Sequence, residues 1–186
     1  MRTLYLVLFA TSLLITSTSC KTEQKSSPVE ADWKEVLQED LHLLGHRNWI
    51  LVVDKAFPEQ SSAGMKYMYV EQDLLPTLED VLKAIDNSIH VKPIIYQDKE
   101  LSFITDDQVP GIEEFRNEAA NTLAGKEVNT LLHDEVFRML DESSSLFRVL
   151  VIKTNCTLPY TSVFFQLDCS YWGAENEKVL RERMAE

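Results

Sequence analysis

From Trp33 onward the apolar residues alternate between helical and extended spacing. Trp33, Leu37, Leu41 and Leu44 share one helical face and Gly45 follows as a C-terminal cap, which predicts a helix over 33–44. The next run, Trp49, Ile50, Leu51, Val52 and Val53, is apolar at every position and stops at Asp54. A strand apolar on both faces belongs in a buried, usually parallel, sheet. A second strand is expected over 65–70, after a loop holding Pro58 and Gly64. Thr77 caps a helix whose buried face is Leu78, Val81, Leu82 and Ile85. Residues 91–96 form a strand that Pro93 confines to an edge or a strand start.

Farther along, Ile112, Phe115, Ala119 and Leu123 keep helical register until Gly125, and Val136, Phe137 and Leu140 mark a helix over 134–140. Residues 147–152 and 162–167 are β-rich and joined by a turn around Pro159. A charged helical tail closes the chain at 174–186. Strands alternating with helices predict an α/β domain of three α/β/α layers around a mainly parallel sheet.

The first segment follows a different pattern. Arg2 precedes an apolar run over 4–15, and the small residues Ser17, Thr18 and Ser19 lead to Cys20. That is the layout of a secretory signal, and its apolar run is too short to span a bilayer as a helix. A cysteine directly after small residues resembles a bacterial lipoprotein signal, in which the Cys is lipidated and becomes the new N-terminus. The residue three positions before Cys20 is Ser17, where such signals usually carry Leu. The expectation is a signal peptide at 1–19, lipidated Cys20 and an exported protein anchored to a bacterial membrane on its periplasmic or outer-membrane side. Residues 21–31, KTEQKSSPVEA, have no apolar period and extend the anchor as a flexible tether through 32. The folded domain would then cover 33–172, with the helical tail at 173–186.

Composition narrows the chemistry. The 186 residues suffice for one domain, and a net charge of −12 leaves no basic face for neutralising phosphates, so nucleic acid is not an expected partner. Five Gly with no GxGxxG or P-loop pattern give no dinucleotide or NTP site. GxSxG and HExxH are absent, and His42, His46, His90 and His133 lack metal-ligand spacing, so neither a metal nor a cofactor is expected. Cys156 and Cys169 lie on either side of the final turn, which leaves a disulfide open in an oxidising compartment.

The informative constellation is Leu44-Gly45-His46-Arg47-Asn48, the apolar strand, and then Asp54-Lys55-Ala56-Phe57-Pro58. Ligands bind open α/β sheets outside the carboxyl ends of their strands, so Asp54 lies where a site is expected. His46 precedes the same strand, about 20 Å away, and would meet Asp54 only by a fold-back of the intervening segment or through a neighbouring subunit. Asp54 also suits an Asx turn capping the following loop.

This arrangement resembles the D-ribose pyranase and L-fucose mutarotase family (RbsD/FucU-like). Its members carry GH, an apolar strand and D-x-x-x-P. His133-Asp134-Glu135-Val136-Phe137 is similar to that family's H-E-x-F segment with one residue inserted. VLVIKTNCTLPYTS, at 149–162, is similar to its strand followed by T-G-E-x-x-P-Y-A-N. The resemblance implies an RbsD/FucU-like fold and a cofactor-free isomerase that interconverts anomers or ring forms of a free monosaccharide. His46 would be the general acid or base, Asp54 would orient it, His133 would contact a sugar hydroxyl, and Tyr160 would bind sugar or relay a proton. Ser162 stands where the family has Asn, Thr154-Asn155-Cys156 replaces T-G-E, and Leu158 is an extra residue before Pro159. The resemblance also implies a ring-like homo-oligomer, a decamer, with sites shared between neighbours. The alternative is a non-catalytic sugar-binding or assembly lipoprotein on the same fold.

Overall fold

The computed structural model describes residues 32–185; the signal segment, Cys20 and nearly all of the tether lie outside the described residues. Six strands form one sheet in the order β2-β5-β1-β6-β3-β4. The central strand β1 (Trp49–Val53) is buried at all five positions and pairs in parallel with β5 (Val149–Lys153), Trp49 facing Val149. The outer strand β2 (Met65–Tyr69) runs parallel to β5. On the other side, β6 (Val163–Cys169) is antiparallel to both β1 and β3 (Val91–Asp98). The edge strand β4 (Val128–Leu131) is parallel to β3. Only β6 is reversed, so the sheet is mixed and mainly parallel.

Helices cover both faces. Ile50, Val52, Leu150, Ile152 and Phe165 pack under α1 (Trp33–Leu41), α2 (Leu74–Asp86) and α3 (Ile112–Thr122). Trp49, Leu51, Val53, Val149, Val151 and Phe164 face Val136 and Leu140 of α4 (His133–Ser144). Alternate residues of β1 thus enter two different cores, as the period of two requires. Burying each such side chain contributes about 1.5–3 kcal/mol. The tail helix α5 (Ala174–Met184) buries no residue. Among the described residues no helix is long and apolar enough to cross a membrane.

Several boundaries differ from the sequence reading. The first helix ends at Leu41, because Asn48 accepts the Gly45 N–H at 2.7 Å and turns the chain toward β1. Helix α2 starts three residues before Thr77 and holds Pro76 in its first turn, where the missing N–H has no helical partner to lose. Pro93 lies in β3 where β6 is the partner and β4 does not reach, since β4 pairs only from Ile95 onward. A 3-10 turn at Lys99–Phe103 and the strand β4 have no counterpart in the sequence reading.

The strands on either side of Pro159 are not a hairpin, because β1 lies between them. The disulfide left open between Cys156 and Cys169 is excluded. Cys156 lies beside Thr161 at the start of β6, Cys169 ends that strand, and both thiols are free. Seven residues of strand separate them by about 20 Å, against the roughly 7 Å that a bridge allows.

Candidate functional site

The carboxyl ends of β1, β3, β4 and β5 lie along one edge of the sheet, together with the start of the reversed β6. Their loops bring Asp54, Asp98, His133, Thr154, Tyr160 and Ser162 to that edge. Asp54 leaves β1, and its carboxylate accepts two hydrogen bonds: Ser162 Oγ donates to Oδ2 at 3.0 Å and the Ala56 N–H to Oδ1 at 2.8 Å. The second is an Asx turn, so the capping role is present alongside any chemical one. Ser162 Oγ also accepts the Asp54 N–H at 3.3 Å. Thr154 fastens the end of β5 to β1 by donating its hydroxyl to the Val53 carbonyl at 2.8 Å.

His133 opens α4 and is held from several directions. Its Nδ1 lies 2.9 Å from Asp98 Oδ2, and its backbone N–H faces both carboxylate oxygens of Glu100 at 3.1 Å. A carboxylate at a helix N-terminus satisfies an otherwise orphaned donor and meets the positive end of the helix dipole. The imidazole packs against Phe137 with centroids 4.7 Å apart and meets Tyr160 edge-on at 5.3 Å. The buried Phe57 stacks on Phe137 at 5.3 Å and supports it from the core. Tyr160 has φ +58°, a left-handed conformation that non-glycine residues seldom adopt and that concentrates at functional sites.

Asp98 is the strained member of this group. Its side chain is fully buried, and Oδ1 has no hydrogen-bond partner among the described residues. Loss of water pushes its carboxyl up to about 6 from 3.8; His133 opposes the shift, while Glu100 and Asp54 reinforce it. Three carboxylates therefore share a neighbourhood with a single imidazole.

The expected site residues are only partly brought together. Asp54 with Ser162, and His133 with Tyr160, share the carboxyl edge. His46 does not: it is exposed in the turn before β1, at the amino edge, and the chain does not fold back toward Asp54. The turn is fixed by Arg47, at φ 74°, whose N–H donates to the Leu167 carbonyl at 2.8 Å. Of the other histidines, His90 is structural, with Nε2 near the Leu41 and Leu44 carbonyls at 3.1 and 3.0 Å.

Asp98 and Glu100 escaped the sequence reading. The signal for Asp98 is that of Asp54, an acidic residue ending a strand, but the sequence pattern predicts an end at Tyr96, two residues short of it. A groove of about 800 Å³ lies between α2, α3 and the loop after β5, floored by Leu74 and Phe115 and rimmed by Asp73, Glu79, Glu114 and Glu118. It contains neither imidazole nor aspartate of the edge cluster, so the chemistry points to the cluster. Among the described residues no group of three or more His, Cys, Asp or Glu is arranged to hold a metal ion.

Known proteins resemble this chain in two respects. The sequence model of the RbsD / FucU transport protein family matches residues 33–169. Among solved structures, RbsD from Bacillus subtilis complexed with D-ribose is similar at 20% identity, with 72% of this chain and 91% of that one covered and a TM-score of 0.50. The fucose mutarotase from Streptococcus pneumoniae in complex with L-fucose is 16% identical over 70% of this chain and 89% of its own, with a TM-score of 0.46. FucU from Bifidobacterium longum is 15% identical over 72% and 94%, also with a TM-score of 0.46. No curated protein sequence matches. At 20% identity the likeness to the Bacillus subtilis structure supports the α/β fold and nothing finer.

Proposed function

This chain belongs to the RbsD / FucU transport protein family, and from that premise we propose that it is a cofactor-free mutarotase or pyranase acting on a free ribose- or fucose-like monosaccharide. The observation that carries the reading is the cluster at the carboxyl edge, where an imidazole, a phenol and carboxylates converge from separate loops. Ring opening removes a proton from the anomeric hydroxyl and delivers one to the ring oxygen, and reclosure reverses both transfers. Groups titrating near neutrality perform such transfers best and contribute about 10²- to 10⁴-fold. No nucleophile is consumed.

In this reading His46 is the general acid or base and reaches the site from a neighbouring copy. Asp54, held by Ser162 and the Ala56 N–H, orients that imidazole. His133 and Tyr160 contact sugar hydroxyls, and the partly exposed Phe137, backed by the buried Phe57, packs the apolar face of the ring. Exposed apolar residues support a head-to-tail assembly. Leu43, Ile89 and Leu146 are 75%, 91% and 81% exposed and flank strand starts, whereas Phe103 and Leu132, 72% and 49% exposed, follow strand ends. A contact between unlike surfaces generates rings when the rotation closes, and the family resemblance suggests a decamer. Light scattering tests this, and a mass near one chain counts against it.

Exchange NMR on ribose, fucose and other aldoses measures the activity. Faster interconversion than in buffer is expected, and the buffer rate with every sugar refutes it. One observation favours the second reading, a sugar-binding module without catalysis: both Asp54 carboxylate oxygens are already occupied within the chain. Binding without exchange would establish that reading. We further propose export and lipid anchoring through Cys20, on the signal pattern alone. Cys20→Ala should release the protein from the membrane fraction, and unchanged retention would end the idea.

A further inference from the structure

We infer that Asp98 is the positioning residue of His133, its buried carboxylate fixing the imidazole with Nδ1 inward and leaving Nε2 as the nitrogen that meets the sugar. The inference rests on the proposed function and extends it, because it turns His133 from a hydroxyl contact into an acid/base group supplied by the same chain.

Four observations carry it. First, Nδ1 lies 2.9 Å from Asp98 Oδ2, and a carboxylate there accepts only from Nδ1–H, which selects one tautomer. Second, the hold is two-point, since Glu100 anchors the His133 backbone N–H while Asp98 anchors the ring. Third, the ring is wedged between Phe137 and Tyr160, which limits its rotation. Fourth, the arrangement is unfavourable for folding alone. Asp98 is 1% exposed, Oδ1 has no partner among the described residues, and Asp54 and Glu100 add like charge nearby. A buried carboxylate with an unmet oxygen destabilises a domain and tends to persist where it orients a working group. Because His133 remains 37% exposed on its side chain, the orienting carboxylate is buried while the oriented ring is accessible.

The chemistry balances without a co-reactant. With Nδ1–H bonded to Asp98, Nε2 takes the proton of the anomeric hydroxyl as the bond from the anomeric carbon to the ring oxygen breaks. The imidazolium is stabilised by the Asp98 carboxylate, and the ring oxygen receives a proton from a second donor, the protonated His46 of a neighbouring copy in the proposed function. Reclosure returns both protons.

The test uses the full chain labelled with ¹⁵N in histidine, as wild type, Asp98→Ala and Asp98→Asn. Long-range ¹H–¹⁵N spectra at pH 8 report the His133 tautomer, assigned with His133→Gln. The wild type should carry the proton on Nδ1. Asp98→Ala should shift it to Nε2, the tautomer that free imidazole side chains prefer, and lower the sugar exchange rate 10- to 100-fold with affinity changed less than threefold. Asp98→Asn keeps the volume and should move both readouts in the same direction by less, so it decides the matter if the alanine variant fails to fold. An unchanged tautomer in a folded variant overturns the inference, and so does an unchanged exchange rate where the wild type exchanges sugar. A wild type that exchanges no sugar yet shows the tautomer switch removes the functional reading and leaves the positioning role standing.

Discussion

Replacing Asp98 with Asn isolates the electrostatic strain built into the carboxyl edge. The carboxyl is held at about 6 instead of 3.8, chiefly because burial removes its water. The groups facing it are His133, which favours the charged form, and Glu100 and Asp54, which oppose it. A carboxyl so displaced resists ionisation by about 3 kcal/mol at pH 7. The folded protein binds this proton more tightly than the unfolded chain does. The contribution is therefore fully present below pH 3.8 and lost as pH rises toward about 6. Asn has no such proton, and its amide keeps the contact without selecting one tautomer, because it can accept from Nδ1–H or donate to a bare Nδ1. Relative to the wild type, Asp98→Asn should thus gain about 3 kcal/mol of stability between pH 3.5 and pH 7. Urea unfolding at a series of pH values, with unchanged m, measures the difference. A difference flat to within about 1 kcal/mol, or one moving the other way, refutes the account of Asp98 as a destabilised, desolvated acid.

Two further outcomes test the fold. A Cβ on Gly64 would collide with the carbonyl oxygens of Ser144 and Phe147, so Gly64→Ala should lose about 1–3 kcal/mol in thermal or urea unfolding. Mass spectrometry of the non-reduced protein should find Cys156 and Cys169 both as free thiols, and a bridge between them would contradict the run of β6.

The sequence was most legible where local pattern and burial coincide. Strand β1 is apolar at five consecutive positions and buried at all five, and its ends match the expectation. Helices α2, α3 and α4 were recognisable from their buried faces, with errors confined to their ends. Strand β4 was missed because Val-Asn-Thr-Leu is four residues at an edge with no fully buried position, too short for a period to show. The insertion of β1 between β5 and β6 was not legible either. A turn between two strands is a local signal, whereas their partners are set by contacts such as Leu167 with Asn48, far apart in sequence. Asp98 was hidden because β3 continues through Gln97, which pairs with both Val163 and Thr130, so polar residues lie inside a strand. Local rules fail most readily where function places polar groups against the pattern.

The separation of His46 from Asp54 gives the last and most discriminating outcome. Five residues of extended β1 lie between the turn that holds His46 and the loop that holds Asp54, so the two side chains stand roughly 20 Å apart, beyond the reach of any rotamer. The eight-residue spacing that carries the family resemblance therefore joins two different surfaces of one molecule. If His46 acts on a neighbour, each active site draws His46 from one copy and Asp54 with Ser162 from the next. His46→Ala and Asp54→Asn, each purified alone, should then be impaired, with the histidine variant losing tens- to hundreds-fold. When the two are dissociated together and reassembled at equal amounts, about one junction in four pairs an intact His46 with an intact Asp54. Exchange activity should return to about a quarter of the wild-type value, since a heterologous contact makes every junction independent. Activity that stays at the sum of the separate variants would show that no site is shared. The acid/base work would then fall to the Asp98 and His133 pair within one chain.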